Sequence, residues 1–151
     1  MEHPAGSGPP MMAVAGCDDG LYVVEVGASA DDDELEGRLA EETLERERPL
    51  LDVVPAWAAG RVLDADAVGS TIVLLLDRRP PLLVSHDTGA TWSERGSGLP
   101  AGRAVALGES PDDVLYAARN RLYVSRDGGR FWRAVAVELP EVRDAAWGVA
   151  R

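Results

Sequence analysis

The chain is poor in the residues that form disulfides, metal sites and membrane spans. It has one cysteine, Cys17, so no intramolecular disulfide can form. Two histidines and one cysteine do not make a zinc site with any standard spacing. No apolar run is long enough for a bilayer, and residues 1–10 lack the basic start and apolar stretch of a signal peptide. We therefore expect no metal, no cofactor, no membrane association and a cytoplasmic location.

Positive charge is also scarce. Fifteen basic residues, all of them arginine, stand against 26 acidic ones, which gives a net charge of −11. Such a chain repels the phosphate backbone at neutral pH, so nucleic acid is excluded as a partner. The hydrophobic fraction of 46 % is nevertheless high enough for a folded domain rather than a disordered chain.

The sequence does contain a repeat with a period of 40 residues. Residues 85–92 read Ser-His-Asp-Thr-Gly-Ala-Thr-Trp, and residues 125–132 read Ser-Arg-Asp-Gly-Gly-Arg-Phe-Trp. The motif positions are Ser85, Asp87, Gly89, Thr91 and Trp92 in the first copy, and Ser125, Asp127, Gly129 and Trp132 in the second. A repeat of about 40 residues predicts stacked β units, each the size of a four-stranded propeller blade.

This motif resembles the Asp-box, or bacterial neuraminidase repeat, of sialidase-like β-propellers. The first copy fits the family pattern at every position, whereas Phe131 in the second stands where the family prefers threonine. The resemblance implies a hairpin between the outer two strands of a blade. Asp and Ser side chains would bind backbone amides of the turn, Gly would permit the turn, and Trp would bury its ring beneath it. We interpret Asp87 and Asp127 as turn-forming residues rather than catalytic ones.

Short apolar runs between turn residues predict an all-β fold of β-propeller type with about three four-stranded blades. Two complete blades have strands at 61–67, 71–77, 82–85 and 92–95, and at 103–107, 114–118, 122–125 and 132–138. An N-terminal blade has strands at 12–16, 21–24 and 51–55, and a C-terminal strand at 142–150 is predicted to complete it. The blade domain thus spans 11–151 and follows a flexible tail, 1–10.

An acidic insertion at about 28–49 interrupts the N-terminal blade and carries six of the eleven net negative charges. Glu34 with Arg38, and Glu42 with Arg46, have the i,i+4 spacing that favours a helix, which Pro49 would end. The segment is therefore predicted to be a short helix. Two interpretations stay open: a solvated flap, or an element that covers a blade or contacts a partner.

Three blades in an open arc leave apolar faces without neighbours, since propellers usually have four to eight blades. Two such arcs would close a six-bladed ring, which predicts a homodimer with twofold symmetry. A compact three-unit monomer and a half-propeller that docks on another protein are the alternatives.

No catalytic constellation is apparent. Arg61, Arg103 and Arg143 occupy equivalent blade positions, and converging arginines are able to bind an anion. The tyrosines fall on repeated strand positions, which is typical of core residues rather than of a unique nucleophile. We therefore predict a non-catalytic scaffold that binds an unidentified protein or glycan. The alternative is a sialidase-like glycoside hydrolase or lectin that uses this arginine cluster.

Overall fold

The computed structural model describes residues 11–46 and 54–148, and these residues form an all-β fold. The strands in chain order are β1 (Met11–Cys17), β2 (Gly20–Val26), β3 (Glu34–Leu39), β4 (Val62–Val68), β5 (Thr71–Leu76), β6 (Leu82–Ser85), β7 (Ser93–Arg95), β8 (Ala104–Leu107), β9 (Val114–Ala117), β10 (Arg121–Ser125), β11 (Arg133–Glu138) and β12 (Val142–Trp147). A single 3-10 turn at Ala30–Asp32 is the only helical element of the described residues.

The strands form three antiparallel sheets of four strands each. The first sheet has the order β12-β1-β2-β3, the second β4-β5-β6-β7, and the third β8-β9-β10-β11. This is the blade-type, β-propeller-like arrangement that the repeat predicts, so the predicted fold class is confirmed.

The third sheet lies between the other two and supplies side chains to two cores. On one side its Leu115 and Val124 pack with Ala15 and Val24 of the first sheet. On the other side its Tyr116 packs with residues of the second sheet such as Leu75. The apolar runs in β5 and β9 are buried along their whole length, because both faces of an inner blade strand are covered.

β12 brings the end of the described chain to its beginning. It pairs antiparallel with β1, with Ala13 opposite Trp147 and Ala15 opposite Ala145. The backbone N–H of Gly148 also donates to the carbonyl of Met12 at 2.6 Å. The first sheet is therefore built from both ends of the described sequence.

The acidic helix predicted within 28–49 is wrong, because residues 34–39 form the edge strand β3. β3 pairs with β2, for example Leu21 with Leu39 and Val23 with Gly37. β3 provides partners for the backbone N–H and C=O groups along the edge of β2, whose residues are buried or partly buried. An i,i+4 ion pair on a helix would contribute only about 0.2–0.5 kcal/mol. All six residues of β3 are exposed, and charged side chains on an edge strand discourage pairing with other chains.

The prediction that residues 51–55 pair with β2 as the fourth strand of this sheet is also wrong, because β3 occupies that position. Residues 51–53 lie outside the described residues, and 54–55 have no strand structure. The tail 1–10, Pro49 and the last part of the predicted strand 142–150 lie outside the described residues as well.

Candidate functional site

The first hairpin, residues 85–92, is held by the side chains of its own motif. The buried Ser85 hydroxyl donates to Asp87 Oδ1 at 2.7 Å and accepts from the Gly89 N–H at 2.8 Å. Asp87 accepts from Thr91 twice, from the backbone N–H at 2.9 Å and from the hydroxyl at 2.6 Å. The Trp92 indole closes the turn with a bond to the Gly89 carbonyl at 3.0 Å.

The second hairpin, residues 125–132, repeats this pattern with one change. Ser125 donates to Asp127 Oδ1 at 2.7 Å and accepts from the Gly129 N–H at 2.8 Å. Asp127 accepts from the Phe131 N–H at 3.0 Å, but Phe131 has no hydroxyl to add. Gly129 and its counterpart Gly89 both have φ of 93°, a conformation in which a side chain would be strained.

The bonds within each turn also lower the pKa of its aspartate, and only Asp87 has the bond from a threonine hydroxyl. The Thr91 hydroxyl, then the Thr91 N–H and Ser85, lower the pKa of Asp87 to about 2. For Asp127, burial acts to raise the pKa, but bonds from the Phe131 N–H and Ser125 outweigh it and lower the pKa overall. Both carboxylates are thus held as anions by their own turns, which suits a structural role.

The two tryptophans pack in different surroundings. Trp92 lies against the apolar cluster of the second sheet that includes Leu74. Trp132 makes an edge-to-face contact with Tyr116, with ring centroids 5.8 Å apart, in the core between the second and third sheets. The second hairpin is therefore anchored in the more central core.

The arginines predicted to bind an anion are each paired with a surface carboxylate. Arg61, 78 % exposed, lies 4.0 Å from Asp77. Arg103 lies 3.2 Å from Glu141, and Arg143 lies 2.7 Å from Asp18 and 4.0 Å from Glu141. Glu141 thus brings Arg103 and Arg143 together, whereas Arg61 pairs with an acid of its own sheet.

Neither Tyr116 nor Cys17 has the low pKa of an activated nucleophile. Tyr116 is fully buried and donates to the Pro100 carbonyl at 2.5 Å, and burial raises its pKa to about 12. Burial, with the charges of Asp19 and Asp18, raises the pKa of Cys17 to about 11. Both groups remain protonated at neutral pH, which suits core residues.

Sequence reasoning missed a buried ionic cluster between the sheets. Arg46 donates to the carboxylate of Asp64 in β4, to Asp144 Oδ1 in β12 at 3.0 Å and to the Val105 carbonyl in β8 at 3.0 Å. Asp64 also accepts the Val105 N–H at 2.9 Å. One guanidinium therefore links one strand from each of the three sheets. The only sequence signal was that 64, 104 and 144 are equivalent repeat positions, two of them aspartate.

Asp66 extends the same connection. Its Oδ2 accepts the N–H of Leu107 at 2.8 Å, so two carboxylates of β4 bind backbone amides of β8. These aspartates serve to join the second sheet to the third, and no group of three metal-ligating side chains occurs within residues 11–46 and 54–148.

A cleft of about 650 Å³ opens beside the second hairpin, and we call it the aromatic cleft. Its walls come from the third sheet and from the loop that follows β2, and they include Gly27, Ala28, Val124, Phe131, Trp132 and Arg133. Phe131 is 79 % exposed, the highest value among the large apolar side chains of the described chain. In the sequence, Phe131 is distinguished only by its departure from the motif.

An acidic surface adjoins the aromatic cleft at Gly27 and Ala28, and we call it the acidic rim. It consists of Glu25, Asp31, Asp32 and Glu34. The side chain of Asp33, which lies between them in sequence, is buried and binds Arg133 at 2.6 Å, and this ion pair fixes the rim to the third sheet.

Comparison with known proteins yields a likeness of shape at low identity. No family model matches the chain, and no curated protein matches it significantly. Among solved structures, the GH74 enzyme of Niastella koreensis is similar, with a TM-score of 0.45 and 18 % sequence identity over 89 % of this chain. The chain spans 19 % of the length of that enzyme. Within the described residues, no helix has the length and apolarity to cross a bilayer.

Proposed function

We propose that this protein is a non-catalytic interaction scaffold built from Asp-box blades, and that the aromatic cleft is where it binds a partner. The observation that carries the proposal is the exposure of Phe131. A threonine at this position would complete the turn as Thr91 does, whereas phenylalanine gives up that bond and places its ring in solvent. A residue that departs from the motif without stabilising the fold is typical of a functional position.

The polar side chains elsewhere support a scaffold rather than an enzyme. Asp87 and Asp127 hold their own turns, and the Arg46 cluster joins the sheets. The alternative of a sialidase-like hydrolase or lectin has less support, because Arg61, Arg103 and Arg143 already have carboxylate partners. We also propose a cytoplasmic location, because the chain has no pair of cysteines of the kind that stabilises many secreted domains.

Site-specific photocrosslinking tests the proposed binding surface. A photoreactive phenylalanine analogue replaces Phe131 in the full chain, and the same analogue replaces Trp57, another exposed aromatic, in a control chain. We expect a discrete crosslinked species in cell extract from position 131 and none of comparable yield from position 57. Equal yields, or a yield only from position 57, would show that the aromatic cleft is not the binding surface.

The six-bladed homodimer stays a prediction that solution mass can test. Light scattering across a concentration series distinguishes the 16.1 kDa chain from a species of twice that mass. A monomer at all concentrations would favour the compact three-unit arrangement, in which the Arg46 cluster ties the three sheets together.

A further inference from the structure

The aromatic cleft and the acidic rim form one continuous surface with two kinds of chemistry. The cleft offers the exposed ring of Phe131 and the partly buried ring of Trp132. The rim begins at the shared residues Gly27 and Ala28 and offers carboxylates. A ligand that fills the cleft therefore lies within reach of the rim.

The positive charges at this surface are already neutralised. Arg133 binds Asp33 with contacts of 2.6 and 3.1 Å and donates to the Gly27 carbonyl at 2.9 Å. Arg126 lies 3.9 Å from Asp113. What remains is the charge of the four rim carboxylates, none of which forms an ion pair within the part of the chain that the structure describes.

Two rim residues repel each other in the fold itself. Glu25 of β2 and Glu34 of β3 are directly opposite partners in the antiparallel pair. Like charges in this position destabilise a sheet, because their side chains lie on the same face at close distance. A cation bound between them would relieve that repulsion, so the arrangement gains most from a positively charged ligand.

We propose that the aromatic cleft and acidic rim together bind a lysine- or arginine-rich peptide segment of a protein partner. One cationic side chain stacks on Phe131, where a ring face attracts an ammonium or guanidinium group. Neighbouring cations of the segment pair with Glu25 and Glu34 and with Asp31 on the rim. This proposal rests on the proposed scaffold function and adds the chemical class of the partner.

The charge of the rim favours this occupant over the others. An acidic or phosphorylated segment would be repelled by the four carboxylates. A neutral glycan would gain the aromatic contact and hydrogen bonds, but it would leave the repulsion between Glu25 and Glu34 in place.

The test is an NMR titration of the full isotope-labelled chain with defined probes. The probes are a blocked peptide of alternating lysine and serine, the matching peptide of glutamate and serine, and cellohexaose. We expect the lysine peptide alone to shift the Trp132 indole N–H and the Gly27 and Ala28 amides. High salt is expected to weaken that binding, because it screens exposed charges.

Three variants locate the interaction. Phe131→Ala is expected to weaken lysine-peptide binding about two- to fivefold, the loss of one exposed cation–π contact. Glu25→Gln with Glu34→Gln is expected to weaken it by about threefold or more while leaving the fold as stable or more stable. The matched control is Glu41→Gln with Glu42→Gln, which removes two exposed charges beyond the end of β3 and should bind as the unmodified chain does.

The other outcomes separate this inference from the proposed function. Binding of cellohexaose but not of the lysine peptide at the same signals would overturn the cationic partner and keep the scaffold. Equal weakening in the control pair would overturn the site, because it would show binding to net charge alone. No probe binding together with a specific crosslink from position 131 would overturn the inference only, and the absence of both would overturn the scaffold too.

Discussion

The two hairpins have the same turn and different surfaces. In both, a buried serine, an aspartate and a glycine form the same set of bonds, and a tryptophan indole binds the glycine carbonyl. They differ at one motif position, where Thr91 adds a hydroxyl to Asp87 and Phe131 does not. The backbone N–H of either residue bonds to the aspartate, so the turn tolerates a side-chain change at this position.

The two hairpins show which side chains of the motif the turn requires and which side chain is able to vary. The serine side chain binds the glycine N–H and the glycine has a positive φ, so a change at either position weakens the turn. The side chain at 91 or 131 is optional for folding, and in the second hairpin it borders the aromatic cleft. The position that the turn leaves free to vary is therefore the one whose side chain lines the aromatic cleft in the second hairpin.

The largest difference between the hairpins is expected in their tryptophans. Trp132→Ala should lower the free energy of unfolding by about 3 kcal/mol, because it leaves a cavity beside Tyr116 in the central core. Trp92→Ala should cost less, because Trp92 packs on the outer cluster of the second sheet. Urea denaturation of both variants measures this, and a larger loss for Trp92→Ala would contradict the assigned packing.

Replacement of either serine should destabilise the protein, because both turns depend on the same serine–glycine hydrogen bond. Ser85→Ala and Ser125→Ala each leave a glycine N–H without its acceptor, which costs about 1–3 kcal/mol for a buried group. The Gly129 N–H is buried and the Gly89 N–H is partly buried, so we expect similar losses of unfolding free energy with the larger one for Ser125→Ala. A loss in only one of the two variants would mean that the hairpins do not share one supporting network.

Substitutions at positions 91 and 131 should change the pKa of the aspartate in the same turn. Thr91→Val is expected to raise the pKa of Asp87 from about 2, and Phe131→Thr to lower that of Asp127 further. A carboxyl whose pKa is depressed by folding stabilises the fold above its unfolded pKa, near 3.8, and that contribution is lost as the pH falls toward 2. Carboxyl carbon NMR titration measures both values; unchanged values would sink the assigned role of Thr91.

The smallest effect is expected from Phe131→Thr on stability. The ring is largely exposed, so its removal should change the unfolding free energy by less than about 1 kcal/mol. Thermal and urea unfolding compare it with Phe131→Ala. A large destabilisation would show that Phe131 supports the core, and would weaken the case for a binding role.

The sequence predicts every strand of the second and third sheets but misses one strand, β3, of the first sheet. The repeat shows each strand of these two sheets twice, with glycine and aspartate at the turns, so the predicted bounds differ from the structure by one residue at most. β3 was missed because all of its side chains are exposed, which leaves no apolar alternation to detect. Its Glu34 and Arg38 have the i,i+4 spacing of a helical ion pair instead.

The site was predictable only in part. Motif chemistry identifies the turn residues, because their partners lie within four residues in sequence. The Arg46 cluster joins residues up to 98 positions apart, and no local pattern signals such contacts. The acidic rim was visible as charge but not as a surface beside Phe131, because its position depends on Arg133 binding Asp33 across two sheets.

The pairing of β12 with β1 determines the order in which the molecule can be completed during synthesis. The second and third sheets are each made from one continuous stretch of chain, so each can close as it leaves the ribosome. β1 and β2 are made before the other two sheets, but the free edge of β1 has no partner until residues more than 120 positions later have been made. Until then that edge is open to pairing with other nascent chains. A chain truncated before Val142 would lack β12, so the edge of β1 would stay unpaired and would favour aggregation.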